Sequence, residues 1–137
     1  KETKYPVVKF VQGQEAIVKK AASMRLGSYD CELKKDSIVY DLYGQKIIQE
    51  RHRHRYEVNE EYVSQLETKG FIVSGRNPQT NLVEIMELNR DIHPYFVGTQ
   101  AHPEFKSKLT AAAPLFVGLI AFSLKNKKLE AETINKV

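Results

Sequence analysis

The arrangement of apolar and polar residues predicts a chain dominated by short strands. From Met24 to Leu33, large or apolar residues alternate with polar ones at the two-residue period of a half-buried strand, and Leu82 to Leu88 repeats the pattern. Pro6 to Val11 and Phe71 to Gly75 are β-branched runs that end at glycine or near it, again read as strands. Lys46 to Val58 reads as extended, and Tyr95 to Gln100 as a further strand. Turns are expected at Lys34-Lys35-Asp36 and over 76–80, and a loop over 89–94. Ser37 to Tyr43, before Gly44, is compatible with either a helix or a strand, and Gln14 to Ala22 with a short helix or a loop.

Two segments carry helix signals. In Asn59 to Gly70, Asn59 can cap the free amides, Glu60 and Glu61 stand in the first turn, Val63 and Leu66 form an apolar stripe with Tyr62, and Gly70 ends the helix. Ala111 to Leu124 is an apolar helix with Pro114 near its start, and Lys125 to Val137 reads as a charged, frayed tail. The class expected is α/β or α+β, one domain over 1–124 followed by the tail.

Composition narrows this little. The 137 residues, 42% hydrophobic and 28% charged, suit one globular domain. No apolar run nears the ~20 residues of a membrane helix, which predicts a soluble, cytoplasmic protein without a membrane partner. The net charge of +4 is mild and spread along the chain, except for Arg51-His52-Arg53-His54-Arg55. The sequence opens on Lys1 rather than methionine, and the expectation is a fragment of something longer.

Candidate chemistry concentrates in three places. His102 and Glu104 are two apart after an apolar run; on a strand they share a face, and the carboxylate could orient the imidazole as a general base. A histidine after a strand is also commonly a structural residue, and spacing leaves both readings open. Cys31, the single cysteine, lies between Asp30 and Glu32, whose charges disfavour a thiolate; without a glycine-flanked elbow it reads as structural. In the arginine-histidine cluster a strand would place Arg51, Arg53 and Arg55 on one face and His52 with His54 on the other. The arginine face is a solvated strand or an anion-binding surface. Two histidines at this spacing can share a metal, but no third ligand follows at recognisable spacing, so no metal site is expected.

Taken together, Met24-Arg25-Leu26-Gly27, Glu50-Arg51-His52-Arg53-His54-Arg55-Tyr56-Glu57-Val58-Asn59, Gln100-Ala101-His102-Pro103-Glu104-Phe105 and Pro114-Leu115-Phe116 resemble the CTP synthase family. Specifically they resemble the C-terminal half of its class I glutamine amidotransferase domain, with Tyr5-Pro6-Val7-Val8 extending the likeness from near Lys1 to about Leu124. The fold the resemblance implies is α/β: the second half of such a domain, a mixed β-sheet with flanking helices.

The resemblance further implies a Cys-His-Glu triad that hydrolyses glutamine. His102 is then general base and acid and Glu104 its orienter; Arg55 holds the carboxylate of L-glutamine, and Tyr56 contributes through its backbone. In the family the nucleophilic cysteine, the oxyanion-hole glycines and the acidic residue for the substrate amine lie upstream of the region matched, so the fragment alone is expected to be inactive. Ala21-Ala22-Ser23 replaces a glycine-rich approach, and no GTP contact is assigned there. The full enzyme implied is a homo-oligomer, a tetramer. Its N-terminal amidoligase domain uses ATP and Mg to aminate UTP with the released ammonia, and GTP is its allosteric activator. The fragment itself is expected to hold no cofactor. The competing reading is a small anion- or RNA-binding module built on Arg51, Arg53 and Arg55, against an expectation of no nucleic-acid partner.

Overall fold

The computed structural model describes residues 3–10 and 24–134, the last six by backbone alone. The strand end at Val11, the turn near Gly13 and the segment Gln14 to Ala22 lie outside the described residues. The elements are strand β1 (Val8–Phe10), β2 (Arg25–Leu33), helix α1 (Ile38–Tyr43), β3 (Ile47–His54), β4 (Tyr56–Val58), α2 (Val63–Glu67), β5 (Phe71–Arg76), β6 (Val83–Leu88), β7 (Val97–Thr99) and α3 (Pro114–Ile134). Single 3₁₀ turns stand at Glu60–Tyr62 and Pro103–Phe105.

Five strands form one sheet in the order β3-β2-β5-β6-β7, and β1 pairs with β4 in a separate ribbon. The described pairings are all antiparallel, and a bulge around Gly75 shifts the β5–β6 register. The strand-rich mixture with flanking helices is the class expected.

Most element boundaries follow local chemistry. Asp36 at φ 65° and Gly44 at φ 66° bracket α1, whose first turn is capped by the Ser37 hydroxyl accepting from the amide of Tyr40. These caps decide the segment left open by its sequence. The helix expected over 59–70 is shorter, a 3₁₀ turn leading into five α-helical residues, although Asn59 caps it as anticipated. Lys46 to Val58 is extended but broken at Arg55 into β3 and β4. Of 95–100, only Val97–Thr99 is strand; Tyr95 precedes it and donates its hydroxyl to the carbonyl of Leu115.

The last helix departs further. It begins at Pro114, not Ala111, because the amide of Ala111 is committed to Lys108 in a tight bridge. It runs on through Ile134, so the backbone expected to be frayed continues as helix. No glycine or proline follows Leu124 to stop it.

Apolar packing falls into two clusters. Cys31, Leu33, Val39, Ile48, Ile85 and Leu115 form one, between the sheet and α1 with α3; Val63, Val83 and Met86 form the other, beside α2. β6 is buried along almost its whole length, yet it carries Glu84 and Glu87 at 2% and 1% exposure. Glu87 is satisfied: its carboxylate accepts from the amides of Ile38 (2.8 Å) and Val39 (3.3 Å), holding the start of α1 to the sheet.

Candidate active site

The buried face of β3 carries Ile48, Glu50 and His52 and continues to His54; opposite them in register on β2 lie Cys31, Tyr29, Gly27 and Arg25. This shared face is apolar at the Cys31–Ile48 end and polar at the Arg25–His52 end. There Arg25 binds the carboxylates of Glu84 and Glu57, and its guanidinium stacks over the Tyr29 ring, 4.3 Å from the centroid. His52 meets the same ring edge-on at 5.3 Å.

The alternation predicted for the cluster holds for Arg51 and Arg53, exposed outward, and for His52 and His54, turned inward. Arg55 stands at the break between β3 and β4, exposed, so the three arginines do not form one strand face. Arg51 and Arg53 border a cleft with Leu26 and Phe105; Arg53 and Arg55 border another, of about 660 Å³, with Tyr56, Glu84 and Gly98 to Gln100. Tyr56 stacks on Phe10 at 4.4 Å, while its carbonyl accepts from His54 Nδ1.

His102 and Glu104 do meet, with Nδ1 and Oε1 2.7 Å apart. The route differs from the one expected. Neither residue is on a strand: β7 ends at Thr99, and Pro103, with its fixed φ and missing amide hydrogen, opens a 3₁₀ turn that swings Glu104 back toward the imidazole. Phe105 stacks on the His102 ring at 5.1 Å and 18°. The hydrogen bond from His102, first, holds the Glu104 carboxyl below the usual glutamate range. That bond engages Nδ1, and among the described residues Nε2 makes no hydrogen bond. Arg55 and Tyr56 line the larger cleft, whose lining also includes Gln100, two residues before His102; among the described residues Arg55 makes no salt bridge with Glu104.

Cys31 is 2% exposed, and its thiol is pushed up to about 12. Burial is the main cause and Glu84 the next, rather than the flanking Asp30 and Glu32. It is a core residue, as expected, for a partly different reason. The residue missed by sequence is Glu84, which looks like one more polar position in an alternating strand; nothing in its local spacing marks it.

An imidazole oriented by a glutamate at a turn beside the sheet is an arrangement suited to general-base chemistry. The family profile described as glutamine amidotransferase class-I matches residues 7–122, and the chain belongs to that family. Its relatives include CTP synthases. That of Christiangramia forsetii is 50% identical over 119 residues, covering 87% of this chain and 21% of that protein. That of Chlamydia caviae is 50% identical over 129 residues, covering 92% and 24%. Among solved structures, the glutaminase domain of Trypanosoma brucei CTPS with bound acivicin aligns with a TM-score of 0.80 at 33% identity, covering 90% of this chain and 48% of that one. The chain thus spans less than a quarter of the length of these CTP synthase sequences. Among the described residues no helix is long and apolar enough to cross a membrane.

Proposed function

We propose that this chain is the histidine-bearing part of the glutaminase domain of a CTP synthase, and that His102 is its general base and acid. The observation that carries the reading is the 2.7 Å contact between His102 Nδ1 and Glu104 Oε1 in a chain of this family. With Nδ1–H donating to the carboxylate, Nε2 takes the proton of a cysteine thiol. The thiolate attacks the side-chain amide carbon of glutamine; His102 then returns the proton to the leaving nitrogen, releasing ammonia and forming a glutamyl thioester. Water hydrolyses the thioester with His102 again as base. Arg55, exposed in the larger cleft, holds the substrate carboxylate with its planar fork, and Tyr56 contributes through its backbone.

The thiol is not Cys31, buried and held protonated, and Cys31 is the one cysteine of the sequence. The nucleophile therefore comes from polypeptide beyond these 137 residues, and the chain by itself does not hydrolyse glutamine. In the parent enzyme the ammonia passes to an amidoligase domain for ATP- and Mg-dependent amination of UTP, with GTP as activator and a tetramer as the working form. No residue of this chain is assigned to those ligands.

In the parent enzyme, His102→Ala abolishes CTP formation from glutamine and spares formation from ammonia; equal loss of both overturns the assignment. Arg55→Ala raises KM for glutamine with ammonia use unchanged; an unaltered glutamine dependence removes Arg55 from the site.

A further inference from the structure

We propose that His52, His54 and Glu84 form a site for one divalent transition-metal ion of borderline softness, zinc foremost. The three side chains bring one donor atom each to within 4.8 Å of one another. His52 Nδ1 lies 2.9 Å from His54 Nε2 and 3.7 Å from Glu84 Oε2. Two imidazoles and a carboxylate, with a fourth position for water, are a donor set that zinc favours.

The surroundings already hold these groups as ligands. His54 Nδ1 is 3.0 Å from the carbonyl of Tyr56, which fixes its hydrogen there and turns the Nε2 lone pair toward the cluster. Glu84 Oε1 is anchored by Arg25, whereas Oε2 is buried with no hydrogen-bond partner among the described residues. An orphaned carboxylate oxygen at 2% residue exposure is an unfavourable arrangement that a cation would relieve.

Geometry and charge are both compatible. Bonds of ~2.0–2.1 Å in a tetrahedral ion set ligand atoms roughly 3.3 Å apart, so the two rings must separate by a few tenths of an ångström and the Glu84 carboxylate must close on them from 3.7 Å at His52. Arg25 opposes a cation, but it is engaged by Glu84 and Glu57, and Glu50 stands on the same strand face with a buried oxygen that has no partner among the described residues. The ion would cross-link β3 to β6. Those strands hold the chain before the His-Pro-Glu turn, through Gln100 N to Glu84 O (2.8 Å) and His102 N to Arg51 O (2.8 Å). This site is independent of the glutaminase reading.

The test is titration of the metal-stripped parent protein that carries this segment with Zn²⁺ against a chromogenic chelator, and with Co²⁺ for its visible spectrum. The expected result is one equivalent bound, with the intense absorption of four-coordinate cobalt. Glu84→Gln and His54→Ala each weaken binding by roughly tenfold to a hundredfold or more. The variants His93→Ala and Cys31→Ala leave it unchanged. If Glu84→Gln fails to fold by circular dichroism, the partly exposed His54 decides. Absence of stoichiometric binding, or binding that survives His54→Ala, overturns the proposal.

Discussion

The amide of His102 donates to the carbonyl of Arg51 across 2.8 Å, and the neighbouring pair, Ala101 and His52, forms an isolated antiparallel bridge. Two sequence motifs separated by about fifty residues are thereby one structural unit. The strand that turns His52 inward also sets the height and direction at which the His102 imidazole leaves the sheet, and Lys106 adds a bond from its ammonium to the carbonyl of Gln49.

The first prediction concerns Glu104. Its carboxyl is held low chiefly by the hydrogen bond from His102. Followed by carboxyl carbon NMR, it should titrate below the ordinary glutamate value of 4.5 in the native chain and move back up toward it in His102→Ala. An unchanged midpoint in the variant would mean that the pair is not formed in solution.

A second prediction follows from close packing at the bulge. A Cβ on Gly75 would stand 2.6 Å from Cys31 Sγ and 3.1 Å from Ile85, so Gly75→Ala should lower stability by roughly 1–3 kcal/mol. Removing the sulfur should relieve part of that loss, so chemical denaturation of Gly75→Ala, Cys31→Ala and the double variant should show favourable coupling of about 1 kcal/mol. Strict additivity would show that the two sites do not touch.

His52 yields a pH dependence. Burial and then the charge of Arg25 hold its imidazole down at about 3, against 6.5 for the free group. As pH falls below 6.5, the unfolded chain takes the proton and the folded chain does not, so stability is lost until about pH 3. Over two pH units this amounts to roughly 1–2 kcal/mol. The raised carboxyls of Glu84 and Glu57 act in the opposite sense. The readout is therefore the difference between wild type and His52→Asn from pH 7 to 5, and parallel curves would contradict it.

Glu87 should matter for stability without touching the site. Glu87→Ala strands the amides of Ile38 and Val39 in the interior and should cost about 2–3 kcal/mol, while Glu87→Gln, which keeps one acceptor, should cost less. Urea midpoints for the two variants give the comparison; equal losses would point to packing rather than hydrogen bonding.

Much of this was legible in the chain because the signals are local. Alternation over 24–33 and 82–88 reflects strands with unlike faces, Asn59 marks the start of the helical segment because its side chain acts within a few residues, and the motifs around Arg55 and His102 carry the family. The His102–Glu104 pairing was anticipated through strand geometry, yet Pro103 produces it by a turn. The six residues of α1 could not be typed from periodicity, since the Ser37 cap and Glu87, fifty residues away, decide them.

The sequence by itself determined the strand-rich class, most turns, the buried role of Cys31 and the family, because each depends on neighbours along the chain or on motif identity. Only the tertiary structure decided which residues share the polar pocket. Arg25, His52, His54 and Glu84 come from three strands, and the register that places them together is set by pairings between distant segments. No local period records that a glutamate of β6 will face two histidines of β3 with one oxygen bound and the other without a partner among the described residues.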